Sequence, residues 1–252
     1  MSRASDKEFS IKANDWLTVA HYRGISKLTP FLTPQEVQQL SALAKNFDGL
    51  ALDFEGGFLG AERCRCLIMP IFETSSREDF SIAGFTIGYP KKFSEIGHRQ
   101  ILGSLMGLQI DRSRIGDIVV DASGDAYFAA TAEMAPYLME HFTSVGSVPI
   151  KLKPVDLFSI QHEKKTEDFE IMVASLRLDV IVASLLKCSR SDASDCLKEG
   201  RVQVNHKQEL NHSRMCSPGD LLSIRGYGRC RILEEVRLTK HKKTVLLMGK
   251  SV

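Results

Sequence analysis

The stretch RLDVIVASLLKCSRSDASDCLKEGRVQVN, from Arg177 to Asn205, contains two helix patterns followed by a strand pattern. Apolar residues of its first part recur at helical spacing, which predicts an amphipathic helix over 177–187. Ser189 stands where it can cap a second helix, with an acidic residue three positions later, and Gly200 is placed to end that helix. The alternation Val202-Gln203-Val204 then indicates a strand. We therefore expect two short helices packed on a small sheet.

This part of the chain resembles the RNA-binding domain named after ribosomal small-subunit protein four. The residues that carry the resemblance are Arg177-Leu178-Asp179, Ser189-Arg190, Gly200-Arg201-Val202-Gln203-Val204-Asn205 and Pro218-Gly219-Asp220. The resemblance implies an RNA-binding domain of the αL type over residues 171–252. The residue pattern after Pro218-Gly219 separately predicts a last strand at 220–225. Arg190 falls in the first turn of the second helix, where exposed backbone N–H groups and the positive end of the helix dipole favour phosphate.

The charge of the chain is divided unevenly. The net formal charge is +2, but residues 1–170 hold 18 basic and 23 acidic residues, whereas residues 171–252 hold 15 basic and 8 acidic residues. The C-terminal third is therefore where we expect an anionic partner to bind.

The composition is that of a globular protein. The chain has 252 residues, of which 43% are hydrophobic and 25% are charged, and it contains no apolar run of membrane-spanning length. The first residues lack the apolar core of a signal peptide, so we expect a cytoplasmic location or, in a plastid-bearing cell, the organellar stroma. The six cysteines are expected to be reduced thiols; metal binding by Cys64 and Cys66, which form a C-x-C pair, is the alternative.

The N-terminal part, residues 1–78, is predicted to form a subdomain of helices and strands. Thr33 and Glu36 have the spacing of a capping box, with Pro34 at the first helical position, so a helix should begin there and end near residue 46. An amphipathic stretch over 16–28 should pack on that helix. Two strand patterns follow at 49–54 and 63–72.

Residues 79–168 are predicted to form a ferredoxin-like, RRM-like domain. Strand patterns at 80–89, 116–121, 126–131 and 147–153 alternate with helix patterns at 94–108 and 132–143, which gives the order βαββαβ. RNA-recognition motifs of this topology stack bases on aromatic and basic residues of the third strand. Here that strand reads DAYFAAT from Asp125, with no basic residue and one of its two rings facing outward, which argues against base stacking on this sheet.

A resemblance to the YlmH family extends over nearly the whole chain, from about Phe31 to the C-terminus. The residues that carry it are Ala61-Glu62-Arg63, 98–103, 115–118 and Arg225-Gly226-Tyr227-Gly228-Arg229. It implies a non-enzymatic factor of ribosome-associated quality control that binds large ribosomal subunits obstructed by peptidyl-tRNA. Its partners would be structured rRNA of the large subunit, tRNA and a factor that extends the stalled peptide without a template, with no membrane, small-molecule substrate, metal or cofactor.

Carried over by position, the resemblance makes Arg177 and Arg190 the main RNA contacts. Polar and basic residues beside them complete the candidate set: Ser189, Lys198, Arg201, Asn205, Lys207, Arg225, Tyr227 and Arg229. Arg190 is expected to be an exposed side chain whose removal leaves stability nearly unchanged. Tyr227 lies between two glycines, which suits either close approach to RNA or a tight structural turn.

An RNA-modifying enzyme with an appended RNA-binding domain, of the pseudouridine synthase or rRNA methyltransferase type, is the alternative function. Residues 1–170 contain no catalytic aspartate motif and no glycine loop for a methyl donor, and the chain has no phosphate-binding loop. The sequence therefore favours a non-enzymatic adaptor without catalytic residues.

Overall fold

The computed structural model describes residues 3–160, 166–238 and 243–251, which fall into two compact units, Ser2–His162 and Glu163–Val252. Met1 and Ser2, where the signal-peptide argument begins, lie outside the described residues. The predicted boundary at residues 78 and 79 falls inside the first unit, and residue 171 falls inside the first strand of the second unit. The division into three domains stays a prediction.

The first unit begins with two helices and a three-stranded antiparallel sheet. These elements are α1 (Arg3–Arg23), β1 (Lys27–Leu28), α2 (Pro34–Ala44), β2 (Leu50–Glu55) and β3 (Arg65–Pro70), and the strand order is β1-β3-β2. The capping box of α2 is confirmed: the Glu36 amide donates to Thr33 Oγ1 at 3.3 Å, and the Thr33 amide donates to Glu36 Oε2 at 2.7 Å. The amphipathic stretch expected over 16–28 does pack on α2, but its bounds are wrong, because the buried stripe of α1 already starts at Phe9 and the helix ends before Gly24, whose φ is +61°.

The rest of the first unit is the ferredoxin-like fold. Its elements are β4 (Ile82–Gly88), α3 (His98–Gly107), β5 (Ile115–Val120), β6 (Ala126–Thr131), α4 (Ala135–His141), β7 (Ser144–Val145), β8 (Val148–Pro149) and β9 (Lys151–Pro154). The main sheet is antiparallel in the order β5-β6-β4-β9, which confirms the βαββαβ prediction. The predicted helix over 132–143 begins instead with a 3-10 turn at Ala132–Met134, and the predicted strand over 147–153 divides into β8 and β9.

The two faces of this sheet are packed differently. Phe85 and Phe128 lie in a buried cluster with residues of α3 and α4, so this is the helix-covered face. On the opposite face, Ala129 packs with Phe31, Phe58 and other residues from outside the sheet. Part of the surface that an RNA-recognition motif would offer to bases is therefore filled by the protein itself.

The second unit is one six-stranded antiparallel sheet with two helices. Its elements are β10 (Thr166–Val173), α5 (Leu178–Leu186), α6 (Arg190–Lys198), β11 (Val202–Val204), β12 (Lys207–Gln208), β13 (Leu221–Ile224), β14 (Gly228–Leu238) and β15 (Thr244–Ser251). The strand order is β10-β15-β14-β13-β11-β12. Buried residues of α5 and α6, such as Leu178 and Leu197, share a cluster with Leu222, Ile232 and Leu246 of the sheet.

The sheet of the second unit is larger than expected from the sequence. We predicted that the strand over 220–225 would be the last, but β14 and β15 follow it, and Arg229 lies within β14. The pairing of β14 with β15 shifts register between Ile232 and Glu234 and again between Glu235 and Arg237. Such irregularities interrupt the polar–apolar alternation by which a strand is found in a sequence.

All six cysteines are free thiols. Burial raises the pKa of Cys64 to about 11, so this thiol is protonated near neutral pH. Among the described residues, no group of three or more His, Cys, Asp or Glu side chains has the arrangement of a metal site. Within the same residues, no helix is both long and apolar enough to cross a bilayer.

Candidate nucleic-acid interface

The N-termini of α5 and α6 are stabilised in different ways. Ser189 caps α6: its hydroxyl accepts the Asp192 amide at 3.1 Å, and Asp192 Oδ2 accepts the Ser189 amide at 3.2 Å. The first amides of α5 donate to backbone carbonyls instead, Leu178 N to Arg214 O at 2.8 Å and Asp179 N to His212 O at 3.2 Å. The first amides of α5 thus have partners within the protein, and in α6 the amides of Asp192 and Ala193 donate to Ser189.

A buried carboxylate links the two helix starts. Asp179 is 4% exposed and lies in the first turn of α5. Arg177 donates to it through Nε and Nη2, both at 3.1 Å, and Arg190 Nη2 donates to Asp179 Oδ2 at 2.8 Å. Burial acts to raise the pKa of Asp179, but the two guanidinium partners outweigh it and lower the pKa to about 2. The carboxylate is therefore ionised at neutral pH and holds both arginines.

The resulting cluster keeps a net positive charge at the surface. The Arg190 side chain is 60% exposed and that of Arg177 is 33% exposed, whereas the Asp179 side chain is 6% exposed. A guanidinium has five N–H donors, and each arginine uses only some of them on Asp179. Two guanidinium groups fixed side by side with donors left over suit the oxygens of a phosphate.

This geometry corrects one expectation from the sequence. Arg190 is exposed, as expected, but its pairing with the buried Asp179 argues against the expectation that its removal leaves stability nearly unchanged. Asp179, which pairs with Arg190, is one of the residues that carry the resemblance, but the sequence predicted no role for it. His212 is a second residue that sequence reasoning missed: its Nδ1 lies 3.2 Å from Arg177 Nη2. An acid in the apolar stripe of α5 was the available signal for Asp179; no local pattern indicated His212.

A second group of candidate residues lies at the other end of α6. The helix has nine residues, so its ends are about 13 Å apart. Lys198 is paired with Asp195 at 2.9 Å, and Arg201 is paired with Glu199 at 2.8 Å. The Arg225 amide donates to Arg201 O at 2.9 Å, which brings residue 225 beside this group.

The turn after β11 separates a structural residue from an exposed cation. Asn205 Nδ2 donates to Asp220 Oδ1 at 2.6 Å, and Asn205 Oδ1 accepts the Leu221 amide at 2.9 Å. Both polar atoms of this side chain thus hold the turn, at a left-handed φ of +51°. Lys207 follows in β12 and is exposed.

Residues 225–227 form the turn between β13 and β14, and Gly228 and Arg229 begin β14. Tyr227 is partly buried against the core, and Lys250 Nζ lies 4.4 Å from the centre of its ring. Gly226 and Gly228 have φ values of +90° and +116°, a conformation that favours glycine. The two glycines and the packed ring thus meet the needs of a tight turn, and contact of Arg225, Tyr227 or Arg229 with RNA stays a prediction.

Two family models match the chain and define the class of protein. Residues 75–159 match a model described as "Putative RNA-binding domain in YlmH", and residues 176–222 match the S4 domain. The second match contains the Arg177–Asp179–Arg190 cluster. The fold and the candidate site therefore define an RNA-binding protein of the S4-domain type.

The chain belongs to the YlmH family. It is 34% identical over 244 residues to the "Ribosome-associated protein quality control protein P2" of Bacillus subtilis, covering 96% of this chain and 93% of that protein. Among solved structures it resembles "Cell division protein ylmH from Streptococcus pneumoniae", with a TM-score of 0.53 and 29% identity over 62% of this chain and 93% of that one. The resemblance predicted from the sequence is confirmed.

Proposed function

We propose that this protein is a non-enzymatic adaptor that binds rRNA and tRNA on large ribosomal subunits obstructed by peptidyl-tRNA. The observation that carries the proposal is the Arg177–Asp179–Arg190 cluster, which presents two fixed guanidinium groups within the matched S4 domain. The name of the Bacillus subtilis relative ties that protein to ribosome-associated quality control, and the high coverage of both chains supports the same role here.

The proposal includes the site, the partners and the location. The cluster and Ser189 would contact the phosphate backbone of structured RNA, with Arg201, Lys207 and Arg225 forming a second group of contacts. Lys198, which is held by Asp195, and Asn205, which holds the turn after β11, would support this second group without contacting a phosphate directly. A factor that extends the stalled peptide would act on the same subunits, in the cytoplasm or an organellar stroma. No step of this role needs a cofactor or a catalytic group.

Co-sedimentation tests the role of the cluster. Purified full-length protein is centrifuged with large subunits that retain peptidyl-tRNA, and the bound fraction is compared for wild type, Arg190→Ala and Arg237→Ala. Arg237 is the matched control, because it is 61% exposed and paired with Glu170 at 3.3 Å, and both residues lie outside the S4 match. We expect Arg190→Ala to bind about tenfold more weakly, the loss of one charge-assisted contact, and Arg237→Ala to bind like wild type.

Two controls make the outcome decisive. Melting curves identify any loss of binding that comes from unfolding, and Arg190→Lys restores the charge without the planar fork. Unchanged sedimentation of a folded Arg190→Ala protein would remove the cluster from the interface. Nucleoside analysis of rRNA after incubation tests the enzymatic alternative: pseudouridine or methyl groups that depend on a residue of 1–170 would contradict the adaptor.

A further inference from the structure

The face of the ferredoxin-like sheet opposite its helices is covered at one end only. At the covered end Gly84 and Gly116 have no room for a side chain: an added Cβ would lie 2.4 Å from Val155 O and 2.7 Å from Phe31, respectively. At the other end of β4, Gly88 is exposed. The part of β9 that pairs with this end of β4, from Lys151 to Lys153, has two exposed lysines.

Register places an aromatic ring and lysines on this open end. Thr86 of β4 pairs with Tyr127 of β6 on one side and with Lys153 of β9 on the other, and Gly88 pairs with Lys151. Residues that alternate with these, such as Phe128, lie in or against the cluster under the helices. The residues paired across Thr86 and Gly88 therefore face the opposite side of the sheet. Tyr127 is half-buried, with its packed side against the covered end.

The loop after β4 adds a second ring. Phe93 is 87% exposed, and it lines a shallow cavity of about 360 Å³ together with Tyr89, Lys92 and Lys153. The Tyr89 hydroxyl donates to Gly124 O at 2.8 Å, which fixes the start of this loop to the turn between β5 and β6. An exposed phenylalanine beside lysines is a surface that a planar ligand can cover.

The acidic residues nearby offset only part of the positive charge, because Lys91, Lys92, Lys151 and Lys153 outnumber Asp121 and Asp125. Asp125 is paired with Lys91 at 2.6 Å, and Asp121 accepts the amides of Ser123 and Asp125, both at 2.8 Å. Within the part of the chain that the structure describes, Lys92, Lys151 and Lys153 have no ion pair. Lys92 and Lys153 line the cavity with Phe93, and Lys151 lies two residues from Lys153 on the same side of β9.

The third strand alone argues against base stacking, but the loop after β4 and strand β9 add an exposed ring and lysines that this strand lacks. We propose that this open end is a second RNA-binding site and that it takes single-stranded RNA. Its members are the aromatic and basic residues described above: Lys92, Phe93, Tyr127, Lys151 and Lys153. Exposed rings stack on unpaired bases of any sequence, and flanking lysines follow the phosphates. A duplex offers no exposed base faces, and an acidic peptide would use the lysines but not the exposed ring. The site is independent of the S4 domain and extends the proposed function to the matched region over 75–159.

Binding of a short oligouridylate to the full chain tests the proposal. The probe is a fluorescein-labelled oligouridylate of about eight nucleotides, a length within the range of single-strand sites, and binding is read by anisotropy. Phe93→Ala should weaken binding about tenfold, as expected for one lost base stack. Phe72→Ala is the matched control, because Phe72 lies in the same unit and is 83% exposed. It should bind like wild type.

Salt dependence tests the lysines. The double variant Lys92→Glu/Lys153→Glu should lower the slope of log affinity against log salt by about 1.4, since each single-strand phosphate contact contributes about 0.7. The control Lys45→Glu changes an exposed lysine of the same unit outside the surface and should leave the slope unchanged.

Crosslinking locates the bound RNA. With 4-thiouridine in the probe, we expect crosslinks in peptides that contain residues 86–93 or Tyr127. Crosslinks confined to 171–252, or an equal loss of affinity in Phe93→Ala and Phe72→Ala, would overturn the site. An oligoglutamate peptide that competes as well as oligouridylate would assign the surface to an acidic protein instead. Failure of the S4 proposal is distinguishable, because it is read from Arg190→Ala on obstructed subunits.

Discussion

The two units of the chain both contain clustered arginines but anchor them differently. In the second unit, Arg177 and Arg190 are held by the carboxylate of Asp179. In the first unit, Arg65 is 8% exposed and donates to the backbone carbonyls of Thr29, Phe80 and Ser81 at 2.8–2.9 Å. The first arrangement leaves donors at the surface, whereas the second directs them into the protein.

The difference shows how one residue type serves recognition in one place and folding in another. Arg63 behaves like Arg65: it donates to Phe31 O at 3.0 Å and to Ile115 O at 3.2 Å, and so joins the N-terminal segment to β5. Burial lowers the pKa of Arg65 to about 10, which still leaves it charged at neutral pH. Because carbonyls carry only partial charges, the guanidinium here acts as a fork of hydrogen bonds that connects separate segments.

The largest loss of stability should come from removing an arginine that is held by backbone carbonyls. Arg65→Met leaves the carbonyls of Thr29 and Phe80 without their guanidinium donor, while Ser81 O keeps the Ala132 amide, and this loss should lower the free energy of unfolding by about 3 kcal/mol. The single tryptophan, Trp16, packs in the core of the first unit, so its fluorescence during urea unfolding reports this unit. Arg23→Met, at an exposed arginine, is the control and should change stability by no more than about 0.5 kcal/mol. Equal midpoints for the two variants would show that Arg65 has no such role.

Removing the carboxylate that holds Arg177 and Arg190 should lower stability less, and the loss should depend on pH. Asp179→Asn should cost about 2 kcal/mol at pH 7, since each unit of pKa shift corresponds to about 1.4 kcal/mol. A carboxylate with a lowered pKa stabilises the fold above its unfolded pKa, near 4, and this contribution is lost as the pH falls towards about 2. In the variant this part of the acid dependence should disappear.

Hydrogen exchange of peptides from 178–198, followed through a urea titration, measures the stability of the second unit for this variant. The control is Asp195→Asn, because the Asp195 side chain is 55% exposed and its pair with Lys198 lies on the surface. It should stay within about 0.5 kcal/mol of wild type at every pH. Identical stability of Asp179→Asn and wild type at pH 7 would contradict the structural role of the cluster.

Local signals predicted much of this fold. The capping boxes at Thr33 and Ser189 depend on residues three positions apart, and both are present in the structure. The order βαββαβ could be read from alternation and helical spacing, since each element carries its own pattern. The resemblance to known families predicted that Arg177 and Arg190 contact RNA, which composition alone does not indicate.

Long-range contacts could not be predicted in this way. The pairing of Asp179 with Arg190 joins residues on two helices, and no spacing rule relates them. Phe31 covers β5 from a segment more than 80 positions away in the chain. No pattern within the sheet strands therefore predicts that one end of their exposed face is covered. Two bulges on β14 interrupt the alternation by which this strand would be found, and its partner β15, which pairs regularly with β10, was also missed.

The smallest effect concerns two lysines of the second unit that differ in their partners. Lys198 is held by Asp195, whereas Lys207 is exposed and has no ion pair within the residues that the structure describes. Both substitutions by alanine remove one positive charge, so the general attraction for RNA should fall equally. Only a lysine that contacts a phosphate directly releases a counterion, which changes the salt slope by about 0.9 for a duplex. We therefore expect Lys207→Ala to lower the slope by about that amount and Lys198→Ala to leave it unchanged, measured by filter binding of a structured rRNA fragment from low to moderate salt. Equal slopes for the two variants would mean that an ion pair within the domain does not prevent a lysine from contacting RNA. That result would contradict the difference between cations held by the protein and cations left for RNA, on which the comparison of the two units depends.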